Sequence, residues 1–351
     1  MSYTGCVRPL KAFPVGLTEN GKIDYKIKKY EINHLELSPS GSWRAVKSPY
    51  REFSDTMDTV SEFIELPCGS CVNCRLNRAR QWAQRCVAES FYHKYNWYLT
   101  LTYDPEHLPE NRSLCKSDLQ DFWKRLRYYN SKGLSFLDEN FKYFACGEYG
   151  DDTLRPHYHA LCFGLNLVED DLVFYKYHNG HPLWNSSLLD SIWQKGFVTV
   201  GVLCEATCSY VARYTYKKMT LEPADLLDFY NAAGVEREFT VMSRRPGIAS
   251  EWIKDHWKEL YSEGYLCYST IDGARRIYPT KYFQSKLESF DKDLFEEVKQ
   301  KAKEYQLNKK EILFNHDSRP YLEILRDQER IRLKQTKSLL ERSSFDAKKS
   351  S

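Results

Sequence analysis

The sequence predicts an α+β fold: a central, mostly antiparallel sheet with flanking helices, a cysteine-containing N-terminal segment and a charged, helical C-terminal region. Two observations carry this. Aromatic and β-branched runs at 97–103, 141–148, 157–163 and 196–203 have strand character, whereas 75–93, 117–129 and 204–219 carry apolar residues at helical spacing. Their order, α-β-α-β-β-(α)-β-α with a hairpin over 141–163, suggests an antiparallel sheet with helices packed on it.

Residues 1–66 alternate short β-like pieces, such as 29–32, with turns such as 39–42. The helix over 75–93 places apolar residues at 79, 82, 83, 86, 87 and 91. The strand at 97–103 ends at Asp104-Pro105. Ser117 is expected to cap the next helix, with Asp118 and Asp121 near its start and Phe122, Leu126 and Tyr129 as its stripe. Tyr149-Gly-Asp-Asp152 turns between the hairpin strands, and 170–190 carries no clear period. Over 204–219, Ala206, Tyr210 and Tyr214 fall in helical register. A short aromatic helix is expected at 250–261, weak helical periodicity runs through the charged stretch 289–345, and 342–351 should fray. The chain divides into 1–94 (cysteine cluster and basic helix), 95–220 (the sheet-bearing core), 221–288 (accessory) and 289–351 (charged tail, partly helical or disordered).

At 351 residues the chain can bury a full core. It has no apolar run of about eighteen residues, so no membrane partner is expected, and its N-terminus lacks a secretory pattern. Eleven cysteines, with Cys146, Cys162 and Cys267 singly placed in apolar or aromatic contexts, fit packed reduced thiols in a cytoplasm. A net charge of +3 does not itself predict nucleic-acid binding, but its distribution does more. Arg75, Arg78, Arg80 and Arg85 occur with no acid among them, and Arg213, Lys217 and Lys218 surround two tyrosines. Such local patches suit a phosphate backbone, with Arg75, Arg78, Arg80, Arg213 and Lys218 as candidate DNA contacts, and the 26 tyrosines offer stacking platforms.

The chemistry concentrates in Arg155-Pro156-His157-Tyr158-His159-Ala160-Leu161. On a strand, His157 and His159 share a face and Tyr158 points away. Two imidazoles make half of a divalent-metal site, and Glu148, on the preceding strand of the hairpin, can fold back as a third ligand. This mixed set accepts Mg²⁺ or Mn²⁺ with positions left open. Tyr210 and Tyr214, at helical i, i+4 spacing, share a side with Lys217. A tyrosine with a pKa of about 10 needs a cation to act as a nucleophile on a phosphodiester.

In this order the motifs resemble those of the HUH endonucleases that start rolling-circle replication. Leu99-Thr-Leu-Thr-Tyr103 resembles the first motif, a strand beneath the active site. Arg155-Pro-His157-Tyr-His159 resembles the second, and Tyr210-Val-Ala-Arg-Tyr214-Thr-Tyr-Lys217 the third in its two-tyrosine form, with Tyr216 as an extra phenol. Pro67-Cys-Gly-Ser-Cys-Val-Asn-Cys74-Arg, Cys146-Gly-Glu-Tyr-Gly-Asp151 and Met242-Ser-Arg-Arg-Pro-Gly-Ile248 resemble the replication initiators of microviruses, and among them the gokushovirus group. The resemblance implies about five antiparallel strands and nicking of the phage origin through a 5′-phosphotyrosine. It implies Tyr210 and Tyr214 as nucleophiles assisted by Lys217, and metal on Glu148, His157 and His159. It further implies host helicase and polymerase as partners in the bacterial cytoplasm. An HUH transposase or relaxase, and a non-enzymatic zinc-clipped DNA-binding protein, are the alternatives.

Cys68, Cys71 and Cys74, with Cys6 as a fourth, could close a structural zinc site that clips the N-terminal segment to the first helix. Partial iron–sulfur spacing and free thiols are the other readings. His178 and His181 are expected to decorate a turn.

Overall fold

The computed structural model of the chain describes residues 5–50, 58–150, 153–178, 180–213, 228, 230–270 and 273–348. They form two compact units, the larger taking in Arg78–Gln306 and the smaller the residues up to Asn77 with Leu307–Ser344. Among the described residues no helix is long and apolar enough to cross a membrane.

The smaller unit holds two three-stranded sheets built from β1 (Leu10–Leu17), β2 (Ile23–Lys29), β3 (His34–Leu37), β4 (Trp43–Val46), β5 (Thr59–Val60) and β6 (Ile64–Leu66), in the orders β2-β1-β6 and β4-β3-β5. The strand expected at 29–32 is displaced: β2 ends at Lys29, and the Ile32 N–H donating to the Lys29 carbonyl makes the rest a turn. Phe13, Ile32 and Leu35 are its buried apolar cluster.

Helix α1 (Val72–Ser90) is followed by β7 (Asn96–Tyr103), α2 (Lys116–Tyr129), β8 (Leu137–Tyr149), β9 (Pro156–Leu165), β10 (Leu172–His178), β11 (His181–Ser186), α3 (Ser187–Trp193), β12 (Gly196–Val202), α4 (Glu205–Arg213) and β13 (Phe239–Met242). The seven strands among these form one antiparallel sheet in the order β10-β11-β12-β7-β9-β8-β13. Two strands more than the five implied above come from the β10–β11 hairpin, which extends one edge. All but the first residue of β10 are exposed, so no burial period marks it in the sequence.

Alternation along the strands sends two sets of side chains to opposite faces. Leu99, Leu101, Tyr158, Ala160, Val198 and Val200 meet Phe122 and Leu126 of α2 and Leu189, Ile192 and Trp193 of α3. On the other face Phe144, Cys146, Leu161 and Phe163 pack with Ala79, Ala83, Cys86 and Val87 of α1 and Cys208, Val211 and Ala212 of α4. The same core takes in α5 (Ser250–Glu263), with Trp252 and Ile253, and Phe283 of α6 (Lys281–Phe290). The hairpin β14 (Leu266–Thr270) and β15 (Gly273–Ile277) precedes α6, and α7 (Lys292–His316) and α8 (Tyr321–Lys348) complete the chain.

Three local expectations change. Helix α2 is capped by Cys115, and Ser117 lies inside its first turn. Phe91 lies just beyond the end of α1 and is exposed. Cys267 is exposed, because alternation on β14 turns it outward; Cys146 and Cys162 are buried as expected.

Candidate active site

Strand β9 sits between β7 and β8, and the register decides what surrounds its histidines. Glu148 of β8 and Thr102 of β7 lie opposite His157, while Cys146 and Thr100 lie opposite His159. Opposed residues of an antiparallel pair project to the same side. One face therefore gathers Glu148, His157, His159, Thr100, Thr102 and Tyr98. Tyr158 faces the other way, where its hydroxyl accepts from the Cys115 N–H at 2.9 Å and donates to the Cys115 carbonyl at 2.8 Å. That anchor fixes the rotation of the strand.

Glu148 Oε1 is 2.7 Å from His157 Nε2 and 3.0 Å from His159 Nε2. Burial pushes the Glu148 carboxyl up, but hydrogen bonds from both imidazoles outweigh it and hold the group below the ordinary carboxylate range. Its second oxygen, Oε2, is buried and has no hydrogen-bond partner among the described residues. His157 Nδ1 lies 3.1 Å from the Arg155 carbonyl, which only accepts. A neutral His157 has one proton, yet both its ring nitrogens face acceptors. Balance requires a cation there: a second proton or a metal ion.

The ligand atoms of Glu148, His157 and His159 lie within 4.8 Å of one another, so the three could hold a metal ion. Two imidazoles, one carboxylate and an unpartnered Oε2 fit a hard or borderline divalent ion with open positions. Around His159, Nδ1 meets the Tyr98 hydroxyl at 2.6 Å and that of Thr100 at 3.0 Å. A hydroxyl can accept from Nδ1–H, and this tautomer leaves Nε2 as the ligand. Burial, then the neighbouring Tyr210, push the Tyr98 phenol well above its ordinary value, so it stays a neutral hydroxyl. Sequence reasoning does not single out Tyr98 and Thr100. The alternation Tyr98-Leu-Thr100-Leu-Thr102 is the signal that places them beside the histidines.

Helix α4 covers this end of the face. Cys208, Val211 and Ala212 bury against the sheet, leaving Tyr210 at the rim with 38% of its surface exposed. Its ring stands edge-on to His159 at 5.3 Å and to Tyr98 at 6.2 Å. The sequence-predicted Tyr214, Lys217 and Lys218, with Tyr216, lie outside the described residues.

Of the basic candidates, Arg78 and Arg213 are exposed, and Arg75 and Arg80 are half-buried. Arg85 of the same run is held structurally, stacked on Trp82 at 4.1 Å and Tyr282 at 3.7 Å while donating to the Ile248 carbonyl. Arg155 donates to the Tyr103 carbonyl at 2.7 Å and braces the histidine strand. His178 and His181 pair at the exposed end of the β10–β11 hairpin, at its turn.

The family model for the replication-associated protein ORF2 matches residues 96–219, a span that takes in the strands around the two histidines. The chain is 33% identical over 277 residues to "Replication-associated protein ORF2" of Spiroplasma virus 4, covering 76% of this chain and 81% of that one. It is 31% identical over 262 residues to "Replication-associated protein VP4" of Bdellovibrio phage phiMH2K, covering 74% and 71%. It is 34% identical over 172 residues to "Replication-associated protein ORF4" of Chlamydia phage 1, covering 48% and 42%. No solved structure matches.

Proposed function

Because the chain belongs to the replication-associated protein ORF2 family of microvirus replication proteins, we propose that it is the endonuclease and strand transferase that nicks and rejoins its phage's origin DNA. The observation that carries this is the convergence of Glu148 Oε1 on both histidine Nε2 atoms beside the rim tyrosine, Tyr210. Buried charge of this kind is costly unless a cation or a proton balances it, and it is placed next to an exposed phenol.

Glu148, His157 and His159 would hold Mg²⁺ or Mn²⁺, which when bound withdraws charge from a phosphate and lowers the barrier to attack at phosphorus. Glu148 balances the positive charge, and the Arg155 carbonyl keeps the His157 proton on Nδ1. Tyr98 and Thr100 do the same for His159. Tyr210 Oη bonds to phosphorus as the bond to the 3′ oxygen breaks. The products are a 5′-phosphotyrosine and a 3′ hydroxyl, whose proton balances the one the phenol gives up. Attack by a 3′ hydroxyl on that phosphotyrosine reverses the step and joins strands. Tyr214, one turn along, is the second nucleophile, and Lys217 assists by charge. Arg78 and Arg213, both exposed, contact phosphates.

The test incubates the full chain with labelled single-stranded origin DNA and Mg²⁺. A denaturation-resistant adduct mapping to Tyr210 or Tyr214 is expected, and it should vanish in His157→Ala. Absence of any adduct with the wild-type chain, or full nicking by His157→Ala, overturns the assignment. If Tyr210→Phe and Tyr214→Phe singly both retain complete nicking and joining, the two tyrosines do not alternate.

A further inference from the structure

We propose that Cys6, Cys68, Cys71 and Cys74 form a second metal site, a closed tetrathiolate that binds zinc and ties the N-terminal segment to the start of α1.

The four residues come from two distant stretches of the sequence. Cys68 and Cys71 precede α1 and Cys74 lies in its first turn, while Cys6 stands before β1. The four Sγ atoms nonetheless lie within 4.8 Å of one another, and those of Cys6 and Cys71 are 3.8 Å apart. Zinc holds thiolates at about 2.3 Å, and a tetrahedron of that radius separates its sulfurs by about 3.8 Å. A disulfide would draw two sulfurs to about 2.05 Å, and all four cysteines are free.

The polar groups around the sulfurs are those a thiolate cluster needs. The Cys68 N–H donates to Cys6 Sγ at 3.3 Å, the Cys71 N–H to Cys68 Sγ at 3.2 Å and the Ser70 hydroxyl to Cys68 Sγ at 3.5 Å. Donors aimed at sulfur favour the charged form, which is the ligand. From outside the cluster, the Asn73 amide donates to the Gly5 carbonyl at 2.9 Å and fixes the residue next to Cys6.

Four sulfurs fill a tetrahedral coordination sphere, so the site is structural in kind and leaves no place for a substrate. The energetic reason is local. The buried apolar cluster of this part of the chain contains Phe13, Ile32 and Leu35, a small core of the size that metals commonly supplement.

The deciding measurement is the metal content of the full chain purified without chelator. One zinc per chain is expected, released by a thiol-blocking mercurial. Replacement by cobalt should give the intense visible bands of a tetrahedral tetrathiolate. The double variant Cys68→Ser/Cys71→Ser should lose both signals, and His157→Ala/His159→Ala should keep both. A metal-free wild-type chain whose four thiols alkylate under native conditions overturns the proposal. So does a mass showing disulfides among them, or iron with its own absorption in place of zinc. Zinc that follows the histidines and not the cysteines also overturns it. The wild-type measurement stands alone, so a cysteine variant that fails to fold does not blunt it.

Discussion

His157 has one proton to give and two acceptors to satisfy, the Arg155 carbonyl and Glu148 Oε1. That conflict turns Glu148 into a test of the centre. Glu148→Gln keeps the shape and supplies N–H donors that the imidazoles can accept, while removing the charge that seats a cation. The fold should hold, and Mg²⁺-dependent nicking should fall on the order of 100-fold or more. Wild-type nicking rates in this variant would remove the carboxylate from the site. Tyr98 acts one step further out. Tyr98→Phe leaves Thr100 as the remaining hydroxyl at His159 Nδ1. The Mg²⁺ concentration for half-maximal nicking should rise about 10-fold, with little change at saturating metal. A loss at saturating metal with an unchanged metal requirement would mean that Tyr98 does something other than orient the imidazole.

Among the elements, β12 depends on a single backbone choice at its start. Gly196 has φ +138°, and a Cβ there would collide with the backbone of Thr102 and Asp104 on the neighbouring strand. Gly196→Ala combines left-handed strain with overpacking and should cost at least about 2 kcal/mol. Thermal melting should drop by several degrees, and an unchanged melting temperature would show that the strand end can shift freely. Legibility follows the same physics. Strands β7, β8, β9 and β12 are readable because each is buried on at least part of a face, and the period survives in residues such as Leu99, Leu101, Val198 and Val200. The face shared by His157 and His159 follows from that period alone, and their meeting with Glu148 from the hairpin. The β10–β11 hairpin is silent because its residues answer to solvent on both sides, and β13 because four residues are too few to show a period. The neighbours of His159 require a register between strands some sixty residues apart, which alternation on one strand does not set. Arg85 misleads as part of a basic run, since the pairing with Trp82, Tyr282 and Ile248 comes only with tertiary structure.

At the scale of the folded molecule, one buried charge network ties together distant parts of the larger unit, and it sets how that unit responds to acid. Glu89 of α1 is nearly inaccessible, as is Lys142 of β8, whose ammonium is 2.8 Å from Glu89 Oε1. The same oxygen accepts from His93 Nε2 at 2.9 Å, and Oε2 accepts from the Ala249 N–H ahead of α5. Asp138 lies at 3.4 Å on the other side of the His93 ring. Burial pushes the Glu89 carboxyl up, but His93, Lys142 and the Ala249 amide together hold it below its ordinary range. A depressed carboxyl contributes stability that is fully present above its unfolded value, about 4.3, and is lost as pH falls through the folded value. Urea midpoints should therefore hold near neutrality and decline as the pH drops below about 4.3. Glu89→Gln strands the Lys142 ammonium without its counter-charge, so it should cost about 3–5 kcal/mol at neutral pH. Its loss of stability over the acid range should be shallower than that of the wild type, because the group that takes up the proton is gone. Parallel acid profiles for the two proteins would place the acid-sensitive carboxylate elsewhere.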